Sequence, residues 1–360
     1  MKDSHFDEEE AFHEKDKKQY RKERKILSRI DRSKHKKTDQ AKEKEPPALK
    51  EEEVRGRVLA IMAEKIIVDV DGSSYTCTLR GSLKKERARI KNLIAVGDFV
   101  QLLPHGDKMG SITHVEKRHS ILSRAEKLHR HKQQLIAVNI DQVLITGSVV
   151  SPPVKPPLID RYIIAALKGN MEPIIVINKI DLLDGEPEER ALFEKLIDIY
   201  LALDIQAYPV SATTGEGIEE LKKAMEGKSS VFSGQSGTGK TSLINAILGS
   251  ELRTGKVVEK TKKGSHTTTS TKLLPIEGGG FCVDTPGIKS FGMWDLDQDE
   301  VKHYFFEIAE MGKHCKYPNC SHLHEPDCAV QNGLESGEIS HLRFESYSAL
   351  IKSLKEHKPR

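Results

Sequence analysis

The stretch Gly234-Gln235-Ser236-Gly237-Thr238-Gly239-Lys240-Thr241-Ser242 has the residue types needed to hold a polyphosphate. Its glycines let successive backbone N–H groups turn inward around phosphate oxygens. Lys240 brings a point charge to the outer phosphates, and the Thr241 hydroxyl is placed to ligate Mg²⁺. The pattern G-x-x-x-x-G-K-[ST], here Gly234 to Thr241, gains its meaning from a strand before it and a helix after it. Both are expected: an apolar run from Ser230 to Phe232, then a helix from Thr241 to Leu248. All nine residues are candidate nucleotide contacts.

A second group, Asn178-Lys179-Ile180-Asp181, closes an apolar strand expected over Pro173 to Ile177. The Asp181 carboxylate can accept hydrogen bonds from both N1–H and the amino group of guanine. Adenine lacks that donor pair and would leave a buried carboxylate unpaired. Lys179 can lie along the base, and Asn178 can tie the base loop to the phosphate loop. Ser211-Ala212, after the next expected strand, could offer backbone N–H groups to the base oxygen. Asp284-Thr285-Pro286-Gly287 follows another strand: Asp284 is placed to hold Mg²⁺ through water, and the Gly287 N–H can reach the outermost phosphate. One of Thr267, Thr268 and Thr269 should close on Mg²⁺ when triphosphate is bound.

Downstream, Cys315, Cys320, His322 and Cys328 supply three thiolates and one imidazole at C-x₄-C-x-H-x₅-C spacing. That donor set suits one tetrahedral Zn²⁺, and a closed four-ligand site is structural rather than catalytic. His314 and His324 flank it as spare candidates.

The elements that must position these groups follow from texture. Val54 to Val115 reads as five short strands: Val54–Ile61, Lys65–Val70, Ser74–Arg80, Asp98–Leu103 and Gly110–Val115. Such spacing suggests a small barrel of the OB type. Cys77 reads as a small packed residue within it. Arg80, Lys84, Lys85, Arg87, Arg89 and Lys91 make a basic loop suited to nucleic acid. His119 to His131 reads as a basic connector. From Leu135 strands alternate with helices (Leu158–Leu167, Glu188–Leu203, Glu216–Met225), which implies a doubly wound, mostly parallel sheet. One helix is expected over Asp299 to Met311 and another over Ile339 to Lys355.

A chain of 360 residues with a net charge of +3 has room for two or three domains, and any nucleic-acid footprint must be local. The first fifty residues cannot bury a core; Lys17 to Lys37 holds eleven Lys and Arg against Glu23 and Asp31, suited to a disordered arm that grips phosphate. No run of about 18 apolar residues and no signal-peptide core is present, so a cytoplasmic protein without a membrane partner is expected. Five cysteines are too few for a disulfide scaffold.

The five nucleotide motifs are those of translation-factor-type GTPases, in which the phosphate loop comes first. Here N-K-x-D and S-A precede it, the order of a circular permutation. With a barrel before and the cysteine cluster after, residues from about 52 to 350 closely resemble the RsgA/YjeQ family of circularly permuted, ribosome-associated GTPases. The resemblance implies an α/β fold. An OB-fold β-barrel (52–116) would precede a circularly permuted P-loop GTPase domain (117–296) and an α-helical zinc-binding domain (297–360), with 1–51 as an extension outside the family. It implies a protein that binds GTP and GDP and the 16S rRNA of the small (30S) ribosomal subunit during late maturation; a monomer is expected. Subunit-stimulated hydrolysis would drive release. The family's switch sequence assigns Thr268 to Mg²⁺ and His266 to hydrolysis. Ser265 stands where the family has arginine, and Ile288 occupies the position of the water-orienting glutamine of Ras-like enzymes. The catalytic set is therefore His266, Lys240 and Gly287. A non-enzymatic, nucleotide-switched rRNA-binding chaperone is the rival reading; a metabolic kinase is disfavoured by N-K-x-D.

Overall fold

The computed structural model describes residues 52–62, 65–81, 83, 93–126, 129–249, 271–284 and 298–356. The basic N-terminal arm, Lys84 to Lys91, the switch residues His266 to Thr269, and Thr285 to Ile288 lie outside the described residues.

Alternating apolar residues form five strands: β1 (Val54–Met62), β2 (Lys65–Val70), β3 (Ser73–Leu79), β4 (Phe99–His105) and β5 (Met109–Val115). Neighbours pair in the order β1-β2-β3-β5-β4, and a further β1–β4 pairing closes the ring. Only β3 and β5 run parallel. One face of each strand fills the barrel: Val58, Ile66, Val68, Cys77, Val100, Leu102 and Ile112 are fully buried. Each such aliphatic contributes roughly 1.5–3 kcal/mol. Asp71 and Gly72 turn β2 into β3 with φ of 48° and 80°, the two left-handed residues a two-residue hairpin needs.

The segment read as a basic connector is instead most of a hairpin, β6 (Ile121–Glu126) against β7 (His129–Val138). Its apolar residues sit at the base, where Ile121 faces Val138 and Leu122 faces Ala137. The polar remainder hides the strand alternation in the sequence.

The alternating region then runs β8 (Gln142–Ser148), α1 (Pro156–Lys168), β9 (Glu172–Asn178), α2 (Pro187–Leu201), β10 (Ala207–Val210), α3 (Ile218–Met225), β11 (Ser229–Gly234), α4 (Lys240–Leu248), β12 (Lys272–Pro275) and β13 (Phe281–Asp284). The sheet order is β10-β9-β8-β11-β13-β12, parallel except for β12. Successive strand residues serve opposite faces. Val143, Ile145, Ile175 and Ile177 pack with α1 and α2, while Leu144, Ile174 and Val176 pack with α3 and α4. Chain order diverges between β8 and β11: β8, β9 and β10 build one way, β11 and β13 the other. That switch point opens a crevice at the carboxyl ends of the strands. A bridge between Ala60 and Lys272 joins β1 to β12, so barrel and sheet are continuous. Arg57 seals the join, its guanidinium 4.9 Å from the rings of Phe99 and Phe281 and donating to the Asn139 carbonyl at 2.6 Å.

The C-terminal part is helical: α5 (Gln298–Tyr304), α6 (Phe306–Gly312), α7 (Ala329–Ser336) and α8 (His341–Glu356). The single helix suggested over Asp299 to Met311 is broken at Phe305, whose buried ring meets Tyr347 edge-on at 5.4 Å. α7 was not foreseen, and α8 starts two residues later than the pattern suggests. Among the described residues no helix is long and apolar enough to cross a membrane.

Candidate nucleotide cleft and metal centre

The loop between β11 and α4 needs its glycines. Gly234, Gly237 and Gly239 have φ of 141°, 88° and 87°. A Cβ on Gly234 would lie 2.1 Å from the Thr146 carbonyl oxygen, and one on Gly239 would lie 2.3 Å from Asn178 Nδ2. Side chains are excluded because neighbouring strand ends press against the loop. Lys240 starts α4, so its charge adds to the positive end of the helix dipole. Its Nζ is folded into the loop, donating to the carbonyls of Gly234 at 2.8 Å and Gln235 at 2.6 Å. Burial holds its pKa below the ordinary lysine value. Ser236, Gly237, Thr241 and Ser242 are exposed at the mouth, while Thr238 is buried and its hydroxyl donates to the Gln235 carbonyl.

Asn178 joins three motifs. It is buried; its Nδ2 donates to the Thr238 carbonyl at 2.8 Å, and its Oδ1 accepts from the Ala212 N–H at 3.1 Å. The tie from base loop to phosphate loop is thus present, with a second tie to the Ser211-Ala212 loop. Asp181 is half-buried and accepts from the Ser211 hydroxyl at 2.5 Å, which orients the carboxylate. The same hydroxyl accepts from the N–H groups of Thr213 and Thr214. The backbone N–H groups expected to face a base are engaged within the protein here, that of Ser211 with the Glu216 carbonyl and that of Ala212 with Asn178. Lys179 has φ of 69°, and its Nζ donates to the Ser151 carbonyl. Sequence reasoning missed this neighbour: the segment after β8 places Pro152 Cδ 3.5 Å from where a Gly237 Cβ would be. The clustered prolines at 152, 153, 156 and 157 were the available signal of a rigid segment there. Asp284 ends β13, beside β11, so its backbone lies on the same edge of the sheet.

The second constellation sits on the loop between α6 and α7. One ligand atom from each of Cys315, Cys320, His322 and Cys328 lies within 4.8 Å of the others. Tetrahedral Zn²⁺, bonded at ~2.3 Å to sulfur and ~2.05 Å to nitrogen, separates two sulfurs by about 3.8 Å and a sulfur and nitrogen by about 3.6 Å. Cys315 Sγ and Cys328 Sγ are 3.8 Å apart, and His322 Nδ1 is 3.4 and 3.5 Å from them. Burial, with Cys328 and Cys315 nearby, pushes the Cys320 thiol up to about 12. Three thiolates this close would repel one another unless a cation lay between them, and a coordinating thiol is deprotonated outright. Burial also keeps the His322 imidazole below its ordinary pKa, hence neutral and able to ligate. The residues fit zinc, with Nδ1 as the imidazole donor. Around them, Gln331 donates to the His322 carbonyl at 2.5 Å and Tyr347 to the Ser321 carbonyl at 3.0 Å. His314 and His324 are exposed and outside the cluster.

The family model described as RsgA GTPase matches residues 115–294. A relative from Chlorobaculum parvum, "Small ribosomal subunit biogenesis GTPase RsgA", is 39% identical over 85% of this chain and 99% of its own. One of the same name from Phocaeicola vulgatus is 37% identical over 81% of this chain and 93% of its own. The chain belongs to the RsgA GTPase family. The crystal structure of YjeQ from Thermotoga maritima superposes with a TM-score of 0.69 at 33% identity, covering 85% of this chain and all of that one. YloQ, described as a circularly permuted GTPase, gives a TM-score of 0.69 at 25% identity, covering 86% and 98%. As an RsgA GTPase the protein hydrolyses GTP with Mg²⁺, on a permuted fold in which the strand ending at Asn178 precedes the phosphate-loop strand, and its Cys₃His cluster could hold zinc.

Proposed function

We propose that the protein binds the small ribosomal subunit late in its maturation, and that the subunit stimulates hydrolysis of GTP to GDP and phosphate, which releases the protein. The observation that carries the nucleotide part is the Asn178 hub, which holds the phosphate loop, the base loop and the Ser211-Ala212 loop as one rigid cleft. The names of the relatives support the ribosomal part. In this reading Asp181 and Lys179 read guanine, Ser211 orients Asp181, and Gly234 to Ser242 surround the phosphates. Lys240 and the Gly287 N–H neutralise charge at the outermost phosphate, where it grows during transfer. Thr241, Thr268 and Asp284 hold Mg²⁺, and His266 orients the attacking water. The reading divides the chain into 52–116, 117–296 and 297–360, acting as a cytoplasmic monomer on 16S rRNA.

The test is single-turnover GTP hydrolysis measured alone and with each ribosomal subunit separately. Acceleration by the small subunit only is the expected result. Equal rates with and without it would favour a nucleotide-switched chaperone.

A further inference from the structure

A buried ion pair links the zinc-cluster helices to the nucleotide domain. Arg343 on α8 and Asp160 on α1 are 3% and 1% exposed, and the guanidinium donates through Nη1 to Asp160 Oδ1. Its other edge grips Glu307 of α6, Nε to Oε1 at 2.7 Å and Nη2 to Oε2 at 3.2 Å. The Phe305 ring lies 4.4 Å from the guanidinium carbon. The Tyr200 hydroxyl of α2 donates to the same Asp160 oxygen at 2.8 Å. Thus one arginine fixes α1, α2, α6 and α8 together. Such a pair is an expensive way to hold helices, since packed apolar residues of similar volume often stabilise as well or better. What the ion pair adds is a defined register.

That register reaches the cleft. Two residues to either side of Asp160, Leu158 and Tyr162 line a small cavity whose far wall is Gly234, Gln235 and Thr238 of the phosphate loop. The segment that leads into α1 carries the Ser151 carbonyl that accepts Lys179 Nζ, and Pro152 against Gly237. Ile164, further along α1, belongs to the apolar core of the zinc-cluster helices, and Lys168 pairs with Glu300 of α5 at 3.0 Å. α1 is therefore held by the zinc-cluster helices along one side, shares a cavity wall with the phosphate loop, and is led into by the 151–152 segment that meets Lys179 and Gly237.

We propose that Arg343 is a positioning residue for the nucleotide cleft: through Asp160 it sets α1 and the 151–152 segment against Lys179 and the phosphate loop. This rests on the GTPase reading of the cleft. The consequence is that grip on guanine nucleotide depends on a side chain far from it in sequence, in the module that carries the metal cluster.

Release of a fluorescent GDP analogue from the full chain, in Mg²⁺, tests it. Arg343→Met keeps length and apolar volume, so stability can hold while register is lost. The expected result is release faster by roughly 5-fold or more, with one zinc per chain retained. Arg343→Lys, which keeps the charge but not the fork, should fall between parent and Arg343→Met. Tyr200→Phe, which removes one hydroxyl, should accelerate release about 2-fold and covers the case in which Arg343→Met does not fold. Effects of Arg343→Met and Asp160→Asn should be non-additive. Parent-like release in the zinc-loaded, folded variants would overturn the positioning role alone. A parent chain that binds no GDP would overturn the GTPase reading and this inference together.

Discussion

The nucleotide cleft and the cysteine cluster are both made of loops, but they assemble by different physics. The cluster draws all four ligands from one loop between two helices, Cys315 to Cys328, and its partners are side chains that close on one point. The cleft draws on Asn178 to Asp181, Ser211 and Gly234 to Ser242, which meet only because β9, β10 and β11 end on the same edge of one parallel sheet. In the cluster the organising energy would be that of the metal it could hold. In the cleft it is the packing of strands whose aliphatic residues are wholly buried, with Asn178 as the hydrogen-bonded pin. A local site of the first kind fails all at once when a ligand is lost. A distributed site of the second kind fails function by function, and the difference can be measured.

The largest effect should come from the cluster. Structural zinc contributes on the order of 10–16 kcal/mol to folding of small metal modules. Cys320→Ser is expected to abolish the one bound Zn²⁺ and to expose residues 306–356 to protease, with metal analysis and limited digestion as readouts. Freshly purified parent protein without zinc would remove the basis for the comparison. If α1 is held as argued, the same variant should also release GDP faster, so the two sites would be separate in chemistry but not in mechanics.

In the cleft, turnover and affinity should come apart. In the proposed reading the phosphate loop, Asp181 and Mg²⁺ would supply affinity without His266, and Ile288 has no group to orient water. His266→Ala is expected to keep GTP affinity within a few-fold, lower subunit-stimulated turnover by roughly 10²-fold or more, and lengthen residence on the subunit. Unchanged stimulated turnover would hand the water to another group, with ribosomal RNA the first to examine. Asp181→Asn should weaken GTP binding by roughly 10- to 100-fold and favour xanthosine triphosphate, because an amide donates where the extra oxygen of xanthine accepts. Competition binding reads this directly; equal affinity of the parent for GTP and ATP would end the assignment.

The smallest effect concerns Glu325 beside the cluster. Burial opposes its charge, yet hydrogen bonds from Ser321 and from the N–H groups of Ser321 and His324 hold its pKa down at about 2. A depressed carboxylate contributes stability that is present above its ordinary range, near pH 4.5, and lost as pH falls towards about 2. The group is partly exposed, so Glu325→Gln should cost less than about 1 kcal/mol at pH 7, with zinc content unchanged. Loss of zinc in this variant would mean that the loop, and not the ligands alone, carries the metal's binding energy.

Sequence by itself determined the local parts. Strands whose side chains alternate in and out, as in Val54 to Val115, announce themselves by a period of two, and the five barrel strands lie close to where that period puts them. Glycines required at positive φ and a metal loop of fixed spacing are equally local, so the phosphate loop and Cys315 to Cys328 were legible residue by residue. Motif order along the chain was enough to reveal the permutation. What depended on distant partners was not legible. Ile121 to Val138 pairs as a hairpin because Leu122, Ala137 and Val138 at its base are buried against the rest of the fold, not because its polar middle alternates. Phe305 breaks a helix because its ring is wanted beside Tyr347 and Arg343. The Ser151 and Pro152 contacts and the Arg343–Asp160 pair join residues far apart in the chain. Such pairings carry no periodicity or spacing, because they are set by which surfaces face one another after the sheet has formed, and only the tertiary structure decides that.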